Sequence, residues 1–161
     1  MTLVLNRIDD RLIHGQVVVG WGQPMDIRFI VLVNDDVAAS DWEQELYRMG
    51  VPPEMTVYFH DVPGALVKLD EYRADPRAGI LLTGDIPTMR QLVERGRVTE
   101  VNVGGIHSRP GREQRLRYVF LSLDEASELR AMAAAGATVT AQDVPGARPV
   151  PLGDLLSGNH T

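Results

Sequence analysis

Residues 7–16 hold the side chains of this sequence that are best suited to chemistry. Two arginines, two aspartates and one histidine lie within these ten residues, between apolar runs at 3–5 and 17–19. The neutral imidazole of His14 is available near pH 7, and one of its nitrogens can attack phosphorus to give a phosphohistidine. A structural turn rarely needs so much charge beside an imidazole. We therefore predict that His14 accepts a phosphoryl group.

The charged neighbours of His14 have the chemistry that a phosphoryl acceptor needs. Phosphoryl transfer depends on alignment and charge stabilisation more than on acid–base power. Arg7 and Arg11 can supply that charge without a metal, through forked hydrogen bonds to phosphate oxygens. Either Asp9 or Asp10 can hold one imidazole nitrogen protonated and leave the other free to attack.

The backbone after His14 is a further candidate for anion binding. A helix that begins near Gly15 would direct the free N–H groups of Gly15 and Gln16 toward a bound phosphate. The structural alternative is a capping or core histidine at a loop–helix junction. Because two arginines and two aspartates flank His14, we favour the functional interpretation.

The overall composition limits the classes of protein to which the chain can belong. Its 161 residues and 17.8 kDa suit a single domain, residues 1–161, with its own core. A net charge of −6 and a pI near 5.1 give no overall attraction to nucleic acid or anionic membranes. The absence of cysteine excludes disulfides and thiol catalysis. Four histidines lack metal-ligand spacing, so no metal site is predicted: His14, His60, His107 and His160.

Short apolar runs alternate with amphipathic stretches along the chain, and none approaches the roughly 18 residues of a membrane span. We expect a cytoplasmic protein that reaches any membrane process by docking. The predicted strands are 3–5, 27–33, 55–59, 79–82, 98–103, 117–121 and 137–141. The predicted helices are 40–49, 62–72, 87–95 and 122–135, with a last turn at 152–156. This alternation predicts an α/β fold, a single-domain open, mostly parallel β-sheet with helices on both faces.

Polar residues and glycines follow two other strands of this predicted sheet. Ligands of an open parallel sheet bind outside the carboxyl ends of its strands. Asn34 and Asp35 follow the second strand, and Asn102, Gly104 and Gly105 lie at the end of the fifth. Paired glycines directly after a strand often let the backbone approach another group closely. We predict that these five residues form the edge of the His14 site.

The sequence of residues 7–17, Arg-Ile-Asp-Asp-Arg-Leu-Ile-His-Gly-Gln-Val, followed by Trp21, resembles a known N-terminal motif. It is that of the IIB component of bacterial sugar phosphotransferase systems (PTS), mannose/fructose/sorbose family. The resemblance continues at 33–38 (Val-Asn-Asp-Asp-Val-Ala), 52–53 (Pro-Pro), 101–105 (Val-Asn-Val-Gly-Gly), a late helix with Gly136, and Val144-Pro145. It therefore spans nearly the whole chain.

The resemblance implies a phosphocarrier function. In that family the histidine of this loop accepts a phosphoryl group from the phosphohistidine of a IIA protein. It then passes the group to a sugar bound by the membrane IIC/IID complex, which makes the activity that of a protein-phosphohistidine–sugar phosphotransferase. His14 would carry the phosphate, Arg11 would be the first candidate to bind it, and Asp9 and Asp10 would orient the loop. No cofactor is expected, and the implied partners are phosphorylated IIA and the IIC/IID permease.

The sequence departs from the family pattern after Gln16. Members commonly carry Ala-Thr after His-Gly-Gln-Val, where this chain has Val18-Val19, followed by Gly20. A hydroxyl that would contact phosphate or a partner is absent, and β-branched residues and glycine lower helix propensity. An alternative function is therefore a regulatory phosphohistidine protein of an incomplete system without sugar transport.

A phospho-aspartate receiver domain is a weaker alternative. Such a domain needs an acidic pair after strand one, an aspartate after strand three and a threonine after strand four. The pair Asp9-Asp10, together with Asp61 and Thr83, fits that pattern. It also needs a lysine after strand five, where this chain has Asn102, and it gives the histidine loop no role.

Overall fold

The computed structural model describes residues 3–157. The strands are β1 (Leu3–Ile8), β2 (Ile27–Val33), β3 (Thr56–His60), β4 (Ala78–Thr83), β5 (Glu100–Val103), β6 (Glu113–Leu116), β7 (Val119–Leu121), β8 (Thr138–Ala141) and β9 (Val150–Pro151). The α-helices are α1 (Asp35–Ala38), α2 (Asp41–Met49), α3 (Val62–Ala74), α4 (Ile86–Gly96), α5 (Leu123–Ala134) and α6 (Leu152–Leu156). A π-helix, Gln16–Trp21, follows β1.

Seven strands form one sheet in the order β3-β2-β4-β1-β5-β8-β9. All neighbouring pairs are parallel except β8 and β9, and β6 and β7 form a separate antiparallel hairpin. From β1 the chain passes to β2 and then to β3 at one edge of the sheet, and it returns to β4 beside β1. It then continues with β5 on the other side of β1. The direction of winding therefore reverses between β1 and β5. Such a reversal opens a crevice at the carboxyl ends of the two strands.

Apolar side chains cover both faces of the sheet in two separate cores. On one face, α3, α4 and α5 contribute buried residues such as Leu69, Met89 and Leu129. On the other face, the π-helix contributes Val17 and Trp21. Because β2 and β4 are covered on both sides, nearly all their residues are apolar and buried. The predicted fold class is confirmed.

Side-chain caps start the helices that follow β2, β3 and β4. Asn34, Asp61 and Asp85 each accept a hydrogen bond from a backbone N–H in the first turn of α1, α3 and α4. Ser40 caps α2 in the same way, as its spacing predicts. At the other end of α5, Gly136 has a φ of 103°, a left-handed conformation that glycine adopts without strain.

The predicted strand at 117–121 is present only as β7, Val119–Leu121, and it is not part of the main sheet. Residues 117 and 118 form the turn of the β6–β7 hairpin, which lies outside the main sheet. The first strand also continues past its predicted end at Leu5 to Ile8, and this places Arg7 within the sheet. No helix in residues 3–157 is long and apolar enough to cross a membrane. His160 lies outside the described residues.

Candidate functional site

The His14 loop lies at the carboxyl end of β1, where the winding of the sheet reverses. Its backbone is tied to both neighbouring strands. Asp9 N–H donates to the carbonyl of Thr83 on β4 (2.9 Å), and Asp10 N–H donates to the carbonyl of Gly105 after β5 (2.9 Å). Leu12 N–H then donates back to Asp9 O (3.0 Å), in a turn that gives Leu12 a φ of 61°. A left-handed leucine is strained, and such residues persist where the surrounding structure holds them.

The two imidazole nitrogens of His14 have different surroundings. Nε2 is buried, has no hydrogen bond to another described residue, and lies 3.3 Å from Asp9 Oδ2. Nδ1 lies 3.3 Å from the backbone N–H of Gln16, which donates to it. The side chain is 18% exposed, so a partner can reach part of the ring. The contacts favour the tautomer with the proton on Nε2 and a lone pair on Nδ1.

Asp9 is the centre of the charged cluster and is fully buried. Besides its contact with His14, its carboxylate accepts hydrogen bonds from Arg7 Nη2 (3.3 Å), from Arg11 Nε and Nη2 (both 3.2 Å), and from Arg11 N–H (3.2 Å). Burial alone raises the pKa of Asp9. The contact with His14, the hydrogen bonds from Arg11 and the positive charge of Arg7 outweigh that effect and hold its pKa well below the ordinary value. Asp9 is therefore a carboxylate at neutral pH.

Arg7 lies beneath the loop rather than at its surface. Its side chain has no exposed area. The guanidinium donates to the Asn102 side chain, to Gln142 O (2.8 Å), to Asp143 O (3.1 Å) and to Asp9, and it lies 5.0 Å from the centroid of the Trp21 ring. Burial lowers the pKa of Arg7, although Asp9 opposes this change. The predicted contact of Arg7 with phosphate has no support in this geometry, because a covered guanidinium cannot meet a ligand at the surface.

The two glycines after β5 make room for the arginines. A Cβ on Gly104 would lie 2.4 Å from Arg7 Cζ, and a Cβ on Gly105 would lie 3.2 Å from Arg11 Nη2 and 3.3 Å from Asp9 Oδ1. The first distance is one that real Cβ atoms do not show. The paired glycines thus permit a close approach of the two arginines, and Asn102, Gly104 and Gly105 all border the cluster.

Arg11 lies on the outer side of Asp9. Its side chain is 36% exposed, and its Nη1 donates to Gln16 Oε1 (3.3 Å). Gln16 in turn donates through Nε2 to the backbone and side-chain oxygens of Asp143 (2.9 and 2.6 Å). Arg11 and Gln16 are thus held beside the ring of His14, with part of the guanidinium open to a ligand.

Asp10 does not contact His14. Its carboxylate accepts hydrogen bonds from the backbone N–H of His107 (2.7 Å) and pairs with His107 Nδ1 (2.5 Å). Of the two aspartates that the sequence leaves open, Asp9 is the one beside the imidazole. Asp10 instead ties the His14 loop to the segment that follows β5.

A known protein family matches nearly the whole chain. The family model described as the sorbose subfamily IIB component of the PTS matches residues 3–161. The chain belongs to this family. It is a IIB component of a sugar phosphotransferase system, and the reaction of such components is phosphoryl transfer.

Individual relatives of this IIB chain carry different sugars in their names. This chain is 35% identical over 149 residues to the N-acetylgalactosamine-specific phosphotransferase enzyme IIB component 1 of Escherichia coli K12. The match covers 89% of this chain and 92% of the relative. It is 33% identical to the mannose-specific EIIAB component of the same organism, covering 98% of this chain and 49%, about half the length, of that relative. The IIBSor domain of the sorbose permease from Klebsiella pneumoniae superposes with a TM-score of 0.88 at 27% identity, covering 99% of each chain.

The residues at which this IIB chain departs from the family pattern lie within the π-helix. Gly22 N–H donates to Val17 O (2.9 Å), a bond across five residues. A Cβ on Gly22 would lie 2.1 Å from Val18 O, so only glycine fits this wide turn. Val18 is buried, whereas Val19 is 52% exposed and Gly20 is partly exposed. The predicted helix near Gly15 therefore exists, but with wider geometry than an α-helix.

Two predicted edge residues of the IIB chain lie further from His14. Asn34 accepts a hydrogen bond from Val37 N–H (3.0 Å) as the cap of α1, and Asp35 is exposed in the first turn of that helix. Neither residue forms a hydrogen bond or an ion pair with Asp9, Arg11 or His14. Asn34 instead lines a groove beside the loop, together with Leu12.

Asp143, which follows β8, is a site residue that was not predicted from the sequence. Its backbone carbonyl accepts hydrogen bonds from Gln16 Nε2, Trp21 Nε1 and Arg7 Nη2 (2.9–3.1 Å), and its carboxylate pairs with Arg117 (3.1 Å). This residue anchors the start and the end of the π-helix to the same point. The signal was present, because β8 is parallel to β5 and the segment after it reaches the same edge of the sheet.

The strand order contradicts the hypothesis of a receiver domain. Its phospho-acceptor candidate, Asp61, follows β3, which is an edge strand separated from β1 by β2 and β4. Asp61 is occupied as the cap of α3, where it accepts from Gly64 N–H (2.8 Å). Thr83 is buried, and its hydroxyl donates to Asp85 O (3.1 Å). Within residues 3–157, no group of three or more acidic, His or Cys residues is arranged to hold a metal ion.

Proposed function

We propose that His14 of this IIB component accepts a phosphoryl group from the phosphohistidine of a IIA protein and passes it to a sugar bound by the IIC/IID permease. The observation that carries the proposal is the asymmetry of the imidazole. Asp9 lies 3.3 Å from Nε2, while Nδ1 lies at the start of the π-helix. Asp9 fixes the proton on Nε2, and Nδ1 is the nucleophile.

The transfer step balances without an external base. The lone pair of His14 Nδ1 attacks phosphorus, and the P–N bond to the IIA histidine breaks with its electron pair returning to that histidine. The proton on Nε2 stays in place throughout, and the carboxylate of Asp9 stabilises the positive charge that develops on the ring. A second transfer of the same kind moves the group to a sugar hydroxyl, whose proton is released, and returns His14 to its neutral state.

Arg11 and the backbone N–H of Gln16 are the proposed phosphate contacts. Arg11 is the exposed guanidinium of the cluster, and Gln16 N–H already donates to Nδ1, the atom to which phosphorus would bond. Phosphorylation would replace the Nδ1 acceptor with a phosphate oxygen, a stronger acceptor for the same N–H. Arg7 does not contact the phosphate in this proposal. It holds Asp9 and the segment after β8 in place from below, through hydrogen bonds to both.

Labelling with radioactive phosphate tests the acceptor. Incubation with phosphoenolpyruvate, the general proteins of the system and a matching IIA is expected to label one acid-labile, base-stable site. His14→Ala should remove the label, and His107→Ala, which changes an exposed histidine paired with Asp10, should keep it. Phosphorus NMR of the labelled protein then distinguishes Nδ1 from Nε2. Undiminished label in His14→Ala would refute the proposal, and a phosphate on Nε2 would refute the proposed role of Asp9.

The downstream acceptor is tested separately. Phosphorylated IIB is mixed with vesicles that contain the IIC and IID proteins of its own system. The sugars of the relatives, N-acetylgalactosamine, mannose and sorbose, are added one at a time. Loss of label from His14 that depends on one sugar supports transport. Label that persists with every sugar supports the regulatory alternative, in which the phosphate on His14 is a signal.

A further inference from the structure

An open groove of about 620 Å³ lies directly beside the His14 loop. One wall is formed by Leu12 and Ile13, which immediately precede the histidine, and the other by α2, with Trp42, Leu46 and Tyr47. A protein that docks in this groove would therefore also approach His14. Asp9, Arg11 and His14 are not among the residues that line the groove.

Helix α2 presents an apolar face to solvent at this groove. Trp42, Leu46 and Met49 are 67%, 54% and 77% exposed, and none of the residues of α2 is fully buried. Their spacing of four and three residues places them on one side of the helix. An amphipathic helix ordinarily buries such a stripe, and a contiguous exposed patch marks a surface for interaction.

Two acidic residues, Asp36 and Glu43, line the groove, and further acidic residues lie next to them in the sequence. Asp35, Asp36, Asp41 and Glu43 lie on α1 and the first turn of α2, and none of them forms an ion pair with another residue of the described chain. Charges across a protein interface are arranged to be complementary. The partner that fits this surface is therefore apolar in the middle and basic at the border.

We infer that this groove docks a basic, apolar cytosolic segment of the IIC/IID permease, an inference that rests on the proposed function. Loops on the cytosolic side of membrane proteins are enriched in lysine and arginine, which suits the acidic border. An anionic lipid surface would be repelled by the same carboxylates. Phosphoryl transfer also requires the acceptor to come within about 3–3.5 Å of the phosphorus, so the permease must dock next to His14.

Two substitutions test the groove, each with a matched control. Asp36→Lys reverses a charge at the second position of α1, and Asp124→Lys makes the same change at the second position of α5, where the carboxylate is also exposed. Trp42→Ala removes apolar area at the groove, and Leu123→Ala removes it from a site that is 80% exposed elsewhere. Circular dichroism and thermal melting check that all four variants are folded.

Each variant is measured in two assays that share the His14 label. The first is phosphorylation by phospho-IIA, and the second is transfer of the phosphate to sugar in inverted vesicles that contain IIC and IID. Trp42→Ala and Asp36→Lys are expected to raise the IIB concentration for half-maximal sugar phosphorylation by about tenfold. Labelling by IIA, and both reactions of the control variants, should stay within about twofold.

Four results would overturn the inference. They are an unchanged half-maximal concentration in both groove variants, an equal loss in the IIA reaction, equal binding to vesicles without IIC and IID, and a groove-dependent dimer in sedimentation. The second result would assign the groove to IIA, the third to lipid and the fourth to a second copy of the chain. Failure of His14 to be labelled in the unaltered protein would instead refute the proposed function itself.

Discussion

Replacing Asp9 by asparagine is the perturbation that best separates the proposed roles in the cluster. The side chain keeps its shape but loses the one negative charge that Arg7, Arg11 and His14 share. Arg7 is fully covered, so water cannot solvate its charge after the substitution. The change therefore acts on stability through Arg7 and on the reaction through His14.

The effect on stability follows from burial. Removing one partner of a buried ion pair costs about 3–5 kcal/mol, because the remaining charge is left uncompensated. Asparagine retains one acceptor oxygen, so we expect the lower end, about 3 kcal/mol. For a chain of this size each kcal/mol lowers the melting temperature by about 2–4 °C, which gives a fall of roughly 6–12 °C. Most domains have more stability than this in reserve, so the variant should fold.

The effect on transfer follows from the contact between Asp9 and Nε2. A hydrogen bond to a charged group contributes about 1.5–3 kcal/mol, which corresponds to a loss of about 10- to 150-fold in rate if it is made in the transition state. The initial rate of phosphate transfer from IIA to His14 measures this loss at a temperature where the variant is folded. Nitrogen NMR of the imidazole should show the tautomer becoming mixed.

Asp10→Asn is the matched control for this experiment. It removes the same charge from the neighbouring residue, but the carboxylate of Asp10 contacts His107 instead of His14. We expect a loss of stability of about 1 kcal/mol and a transfer rate within about threefold of the unaltered protein. Equal rate losses in the two variants, or a normal rate in Asp9→Asn, would refute the role assigned to Asp9.

Three other predictions follow from the cluster. Because folding lowers the pKa of Asp9, its contribution to stability is full above its unfolded pKa of about 3.9 and is lost as the pH falls toward its folded pKa. In urea unfolding, the free energy of unfolding should therefore fall with pH below about pH 4, and Asp9→Asn should reduce this fall. Gly104→Ala, whose Cβ would meet Arg7, should destabilise the protein by about 1–3 kcal/mol in the same assay. Arg11→Ala should melt within a few degrees of the unaltered protein and transfer phosphate much more slowly. Arg7→Lys, which changes a fully buried guanidinium, should instead mainly reduce stability. A normal transfer rate in Arg11→Ala would contradict the proposed contact of Arg11 with phosphate.

Local sequence patterns were sufficient to predict the central sheet and most helices. Uninterrupted apolar runs appear where β2 and β4 are covered on both faces, and the caps Ser40 and Gly136 bound α2 and α5 as predicted. The pattern at 117–121 located a strand at 119–121 but not its place in the fold, because a short hairpin beside the core has apolar residues without belonging to the main sheet. The extent of β1 was also too short, since Asn6 and Arg7 interrupt its apolar pattern.

The position of Arg7 could not be predicted from local sequence. Its burial depends on the absence of a side chain at Gly104 and on acceptors that lie 95 residues away at Asn102 and 136 residues away at Asp143. The sequence likewise does not distinguish whether Asp9 or Asp10 contacts the imidazole of His14. Only the pairing of β1 with β5 directs one carboxylate toward the ring and the other toward His107.

The division between a buried and an exposed arginine suits a protein that must give up the phosphate it accepts. Binding that stabilises the phosphorylated state too strongly would speed the first transfer and slow the second, because only interactions that strengthen in the transition state accelerate both. Arg7 balances the charge of Asp9 from below, where phosphate cannot reach it. Arg11 alone of the two offers partly exposed donors beside His14, and these are shared with Asp9 in the unphosphorylated state. A phosphate that competes with Asp9 for those donors is held moderately, and it can leave when the next acceptor arrives.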